Sequence, residues 1–186
     1  KHIPLQKAAT AKIRIGWSGS ISTIKHFLLL LPVLSRLKMR YGATLEVAVL
    51  ADKPYSTVEQ ELVSLIWTAE TEVAHLNTFY IGVMPLPDDA WSQGKCGLKG
   101  LSYMACGIPT VMSSVGVNSE IITHQENGFL AEDENEWFDC LCALIDNAVL
   151  RKQIGERGRA IVIERYSVEA NKHKYLQVFE RAQPTQ

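Results

Sequence analysis

The sequence predicts an α/β fold, a doubly wound, Rossmann-like parallel sheet flanked by helices. Short apolar runs alternate with helical patterns along the chain, the runs are continuous rather than alternately polar, and the first closes on small residues just ahead of a helix. Continuous apolar runs are what strands covered on both faces need, and parallel strands require crossover helices between them.

The first run, residues 13–18, closes on Gly19-Ser20, and a helical pattern follows over about 23–40, which Pro32 is expected to kink. Runs at 45–50 and 62–67 give two more strands, separated by a loop around Pro54-Tyr55. A short helix at 70–76 leads to a fully apolar strand at 80–84, closed by Pro85 and Pro87. Beyond a loop at 88–97 rich in Asp, Trp and Gly, a helix at 98–106 stops at Gly107, a C-cap glycine with Pro109 shortly after it. A strand at 110–113, a helix at 118–124 and a strand at 128–131 complete the sheet, and helices at 135–146, 148–158, 160–166 and 168–181 follow.

With 186 residues, 47% of them hydrophobic, the chain suits one α/β domain with a real core and is too short for two of ordinary size. Residues 1–12 read as a polar linker, 13–166 as the domain and 167–186 as a C-terminal helix and tail, the abrupt start being that of an excised domain. Nineteen basic against 20 acidic residues, a net charge of −1, provide no broad positive field for nucleic acid. Any phosphate must therefore be caught locally. Cys96, Cys106, Cys140 and Cys142 form no C-x-x-C hooks, which points to reduced thiols in a cytoplasmic protein, with Cys140 and Cys142 as packing residues. No signal peptide opens the chain, and its most apolar run, 27–34, contains Pro32 and falls far short of the roughly 20 residues of a membrane-spanning helix.

Ligands of such sheets bind at the carboxyl ends of the strands, which selects three loops. In the first, Gly16-Trp17-Ser18-Gly19-Ser20 leads into a helix with Lys25 near its start. Small residues, helix-start amides and a lysine suit a phosphate cradle, although the spacing is neither G-x-G-x-x-G nor G-x-x-x-x-G-K-[ST], and a tight βα turn with a solvated lysine reads equally well. In the second, Gly94-Lys95-Cys96-Gly97 feeds the 98–106 helix, where Lys95 can stabilise a leaving diphosphate or be solvated above turn glycines. Asp88 and Asp89 read as turn and cap residues, and His26 and His124 as structural or exposed. The third loop is 113–118. Trp17, Trp67 and Trp91 read mostly as core or loop anchors, each close to a strand end where a nucleobase can stack.

The order of these pieces carries a resemblance. Ile81-Gly-Val-Met-Pro-Leu-Pro-Asp-Asp-Ala-Trp91 is followed by Gly94-Lys-Cys-Gly-Leu-Lys99, Tyr103-Met-Ala-Cys-Gly-Ile-Pro-Thr-Val111 and Val115-Gly-Val-Asn-Ser-Glu120. Asn127-Gly-Phe-Leu130, Gly155-Glu-Arg-Gly158 and Arg165-Tyr-Ser167 come after them. Over about 13–167 this string resembles the C-terminal domain of GT-B-fold glycosyltransferases of the large retaining family 4. The resemblance implies that an N-terminal domain binds the acceptor, that this domain binds a nucleoside diphosphate sugar, and that no metal or other cofactor is needed. It implies cytoplasmic residence and polysaccharide biosynthesis, and leaves peripheral contact with the inner face of the membrane open to the full-length protein.

Family members place an arginine and a lysine of the first loop on the distal phosphate; the lysine matches Lys25, while Ser20 stands at the arginine position. Two family glutamates, on the donor sugar and the ribose, align with Gly94 and Ser102. Lys95 and Lys99 bring charge to the same helix, and Lys95 is expected to replace the missing arginine. By this reading Ser18, Gly19, Ser20 and Lys25 line one side of the diphosphate and Gly94, Lys95, Cys96, Gly97 and Leu98 the other, with Lys25 and Lys95 as the catalytic cations. Ser102 would hydrogen-bond the ribose, and Glu120, which aligns with a family glutamate, serves either as a cap or as a ligand contact. A GT-B sugar-nucleotide epimerase and a non-catalytic nucleotide-sugar-binding module are the alternatives.

Overall fold

A computed structural model describes residues 3–4, 12–58 and 61–181. The expected linker lies outside the described residues except for 3, 4 and 12, as does the tail beyond 181. Six strands, β1 (Ile13–Ser18), β2 (Leu45–Ala51), β3 (Val63–Ile66), β4 (Ile81–Met84), β5 (Thr110–Ser113) and β6 (Phe129–Ala131), form one sheet in the order β3-β2-β1-β4-β5-β6. Every pairing is parallel. This is the doubly wound arrangement expected, with its reversal of strand order between β1 and β4 opening a crevice at their carboxyl ends.

Helices α1 (Ile24–Leu28), α2 (Leu31–Tyr41) and α7 (Glu134–Asp146) supply Phe27, Val33, Leu34, Leu37, Leu141 and Leu144 to the core cluster that also holds Ile15, Trp17, Val47, Val49 and Val83. A second cluster joins Ala48 and Leu50 of β2 to Leu76 of α3 (Glu72–Leu76), Phe79 and Tyr103 of α5 (Leu98–Ala105). Both faces are therefore covered, which is why the strands carry few polar residues.

Two glycines set the geometry at the crevice. Gly16 of β1 and Gly82 of β4 are register partners. A Cβ on Gly16 would come within 2.1 Å of the Phe79 ring, and one on Gly82 within 2.5 Å of the Tyr103 ring. The rings thus lie directly on the sheet backbone, in edge contact with each other at 6.3 Å between centroids.

The helical pattern at 23–40 is broken rather than kinked: α1 ends at Leu28 and α2 restarts at Leu31, with Pro32 in its first turn. Proline is tolerated there because the first-turn amides have no intrahelical acceptor. The loop at 88–97 contains α4 (Ala90–Gln93), started by Asp89, whose carboxylate accepts from the Ser92 amide at 2.7 Å. Helix α6 (Asn118–Ile121) is shorter than expected, because the Asn127 side chain bonds Ile121 O and the Thr123 amide, at 3.0 and 2.8 Å, and draws the chain out of the helix. The expected helices at 148–158 and 160–166 are instead one, α8 (Ala148–Ile161), which widens into a π-type turn at Val162–Tyr166 before α9 (Val168–Arg181). None of the four cysteines is held in a disulfide, and Cys140 and Cys142 are buried in the core. No helix among the described residues is long and apolar enough to cross a membrane.

Candidate functional site

The first wall of the crevice is the turn after β1, and hydrogen bonds fix its path. The Ser18 amide donates to Tyr103 Oη at 2.7 Å, the Gly19 amide to Leu50 O at 3.0 Å and the Ile21 amide to Asp52 Oδ1 at 2.7 Å. Two amides expected to face a phosphate, those of Ser18 and Gly19, are therefore engaged within the protein. The turn offers an exposed Ser20, whose Oγ lies 2.7 Å from Ser22 Oγ, and an exposed Lys25 on α1.

The second wall is the start of α5. Gly97 adopts φ +69°, a left-handed conformation that favours glycine, and a Cβ there would meet Ile121 Cδ1 at 2.4 Å. No side chain caps α5, so its first amides are left for a ligand or solvent. Leu98 and Cys96 are exposed beside them. Gly94 is exposed with φ −80°, and the Lys95 ammonium lies 4.8 Å from the centroid of the exposed Trp91 ring.

Lys99 occupies the space between the walls. Its ammonium lies 4.6 Å from the centroid of the Trp17 ring and 3.4 Å from Thr23 Oγ1. Burial first, and the charge of Lys95 second, bring its pKa down to about 8. Just below stands His26 of α1, 2% exposed, its pKa lowered by burial and then by Lys99, Lys25 and Lys95. Asp89 is held below the usual carboxylate range by the Ser92 amide, the signature of the cap expected of it.

A cavity of about 350 Å³ opens between the walls, lined by Ser18, Gly19, Ser20, Asp52, Trp67, Glu72, Leu98, Lys99 and Ser102. It unites five of the residues selected from the sequence: Ser18, Gly19, Ser20, Leu98 and Ser102. Lys25, Gly94, Lys95, Cys96 and Gly97 stand outside that lining, and Glu120 is exposed on α6. Of the three tryptophans, Trp67 faces the cavity with 43% of its surface exposed. Trp17 is buried to 1% and has Lys99 over its ring, so it is unavailable to a base.

Sequence reasoning did not select Lys99 among the site residues, nor Asp52, Glu72 and Tyr103. A signal for Lys99 was present: a lysine in the first turn of a helix opposes the helix dipole, and a local rule broken without local compensation marks a functional position. Asp52 and Glu72 carry no such signal, because only the sheet order brings β2 and α3 to the crevice.

The pattern of the family described as "Glycosyl transferases group 1" matches residues 12–147. N-acetyl-alpha-D-glucosaminyl L-malate synthase of Bacillus anthracis is 33% identical over 85 residues, 45% of this chain and 22% of that protein. Poly(ribitol-phosphate) alpha-N-acetylglucosaminyltransferase of Staphylococcus aureus is 31% identical over 86 residues, 45% of this chain and 17% of that protein. The chain thus matches about a fifth of the length of these curated relatives. Among solved structures, S. aureus TarM superposes with a TM-score of 0.75 at 21% identity, over 96% of this chain and 37% of that one. Anabaena HepE in complex with UDP-glucose superposes with a TM-score of 0.72 at 15% identity, over 91% of this chain and 49% of that one. With a family pattern running across the sheet, both crevice walls and the cavity, this chain belongs to the group 1 glycosyltransferases.

Proposed function

We propose that this chain is the donor-binding C-terminal domain of a retaining glycosyltransferase, which moves a sugar from a nucleoside diphosphate to an acceptor hydroxyl. The observation that carries the reading is a cavity at the reversal of strand order, where Trp67, Glu72, Ser102, the Ser18–Ser20 turn and Lys99 meet. The nucleobase stacks on Trp67, and the ribose hydroxyls donate to Glu72, which supplies the carboxylate that Ser102 lacks. The diphosphate lies over the first amides of α5, between Lys99 and the ammonium groups of Lys25 and Lys95. As the glycosidic bond breaks, charge builds on the departing phosphate, and these fixed dipoles and cations stabilise it more than the ground state. No nucleophile is required from this half, and no metal or other cofactor takes part. The acceptor is bound by an N-terminal partner domain across the crevice, without which this domain does not turn over. Polysaccharide assembly in the cytoplasm, at the inner face of the membrane, suits such a reaction.

A thermal-shift panel of UDP, GDP, ADP and their sugars tests the donor site, since any ligand of the folded state raises its Tm. At least one nucleotide is expected to raise it, and a flat response to all of them defeats the reading. Gly94 and Ser102, where family members carry glutamates, favour a second reading, a non-catalytic binding module. That reading predicts binding without transfer in the full-length protein. Incubation with donor alone separates both from an epimerase, which would isomerise it without acceptor.

A further inference from the structure

His26 is a buried titratable group that the reading above does not use. It is 2% exposed, and neither ring nitrogen is hydrogen bonded to the protein. An imidazole buried with both nitrogens unsatisfied is unfavourable in an ordinary core, where polar groups are paired. Charges act on it from several elements: Lys99 of α5, Lys25 beside it on α1, Lys95 in the loop before α5, and Asp89 at the cap of α4. Thr23, which meets the Lys99 ammonium at 3.4 Å, lies three residues earlier in the chain. The ring therefore lies one helical turn beyond the residue that meets the Lys99 ammonium.

We propose that His26 takes up one proton from solvent when a nucleoside diphosphate occupies the crevice, and that the imidazolium so formed adds a positive charge to those of the neighbouring lysines. The inference rests on the donor-site reading above. Without ligand, three lysines against one aspartate make a fourth cation unfavourable, and the ring stays neutral. A diphosphate reverses the sign of the local field and so favours the imidazolium, whose two nitrogens have no partner in the protein and are free to donate to water. Burial without ligand thus keeps the site from accumulating charge, and binding completes it.

Calorimetric titration of the protein with UDP, GDP and ADP, in pairs of buffers that differ in ionisation heat, separates binding from proton linkage. At pH 7 the nucleotide that binds is expected to carry in up to about one proton, and its Kd to weaken up to about tenfold per pH unit in the window between the free and bound pKa of His26. His26→Gln is expected to abolish that uptake and to weaken binding several-fold at pH 6.5, converging with the wild type by pH 8. Uptake by Lys99 is confined to higher pH, and in Lys99→Met the uptake at pH 7 persists. Binding without proton uptake, or uptake unchanged in His26→Gln, overturns the inference while leaving the donor site standing. Binding of none of the three nucleotides removes the donor site and the inference together. Should His26→Gln fail to fold, the imidazole NMR shift of His26, followed over pH with and without UDP, GDP and ADP, decides the same question. A pKa that no nucleotide raises overturns it.

Discussion

Tyr103 Oη lies 2.7 Å from the Ser18 amide nitrogen and accepts its hydrogen, so a side chain of α5 fixes the last residue of β1 at the lip of the crevice. The same hydroxyl donates to Ser18 Oγ at 3.2 Å, and burial pushes its pKa up to about 12, which keeps it protonated throughout the physiological range. Removing it in Tyr103→Phe leaves a part-buried amide without its acceptor, at a cost of up to about 1–3 kcal/mol. Urea denaturation is expected to show that loss, with the nucleotide-induced Tm shift reduced in parallel because the turn is no longer held. Full stability in the variant would mean that the turn finds another acceptor.

Lys99 gives two opposite responses to pH. Its pKa falls from 10.5 to about 8 on folding, so between those values the unfolded chain binds more protons than the folded one. Stability without ligand therefore rises with pH across that interval, while nucleotide affinity falls as the ammonium is lost. Lys99→Met is expected to melt higher than the wild type without nucleotide, since a half-buried cation with no ion-pair partner among the described residues is removed, and to bind nucleotide tenfold or more weakly. A variant that lost stability and kept its affinity would make Lys99 structural.

The Lys95 ammonium rests against an exposed indole, an interaction worth about 0.5–1 kcal/mol, which a phosphate can readily outcompete. Nucleotide is therefore expected to draw Lys95 from Trp91 and change the fluorescence of that indole, a change lost in Lys95→Ala along with about tenfold in affinity. If Lys95→Ala left donor affinity and turnover of the full-length enzyme unchanged, Lys95 would not be the substitute for the missing arginine.

Gly94 has room for a side chain. A Cβ there meets Trp91 O at 3.5 Å, an ordinary contact, and the φ of −80° suits any residue. Gly94→Glu should change stability by no more than about 0.5 kcal/mol. Placed next to Lys95, the new carboxylate is expected to weaken diphosphate binding rather than improve transfer, because this site relies on cations at that point. A tenfold gain in turnover would instead mark the wild-type site as one that has lost a needed carboxylate.

The sheet was legible because its strands are continuous apolar runs, and all six fall within a residue or so of their expected positions. Boundaries failed where a side chain decides the backbone's course: Asn127 ends α6 from six residues beyond it, and Asp89 starts α4 inside an apparent loop. The walls of the crevice were legible as glycine-rich turns before helices. Their occupancy was not, since the Ser18 amide looks free in sequence and is taken by a tyrosine 85 residues away. Asp52 and Glu72 came to the cavity through strand order, which no local pattern encodes.

The paired glycines at the crossover also bear on how such a protein can be retuned. With Gly16 and Gly82 closed over by Phe79 and Tyr103, the floor beneath the cavity accepts no new side chain without displacing an aromatic ring from the sheet. On the proposed reading, changes of donor preference come from the rim, at Trp67, Glu72 and Ser102, none of which is buried, while Asp52 is held to its place by the Ile21 amide. A library confined to those three positions should vary nucleotide choice while the melting temperature stays nearly constant, so recognition can drift on a scaffold that does not.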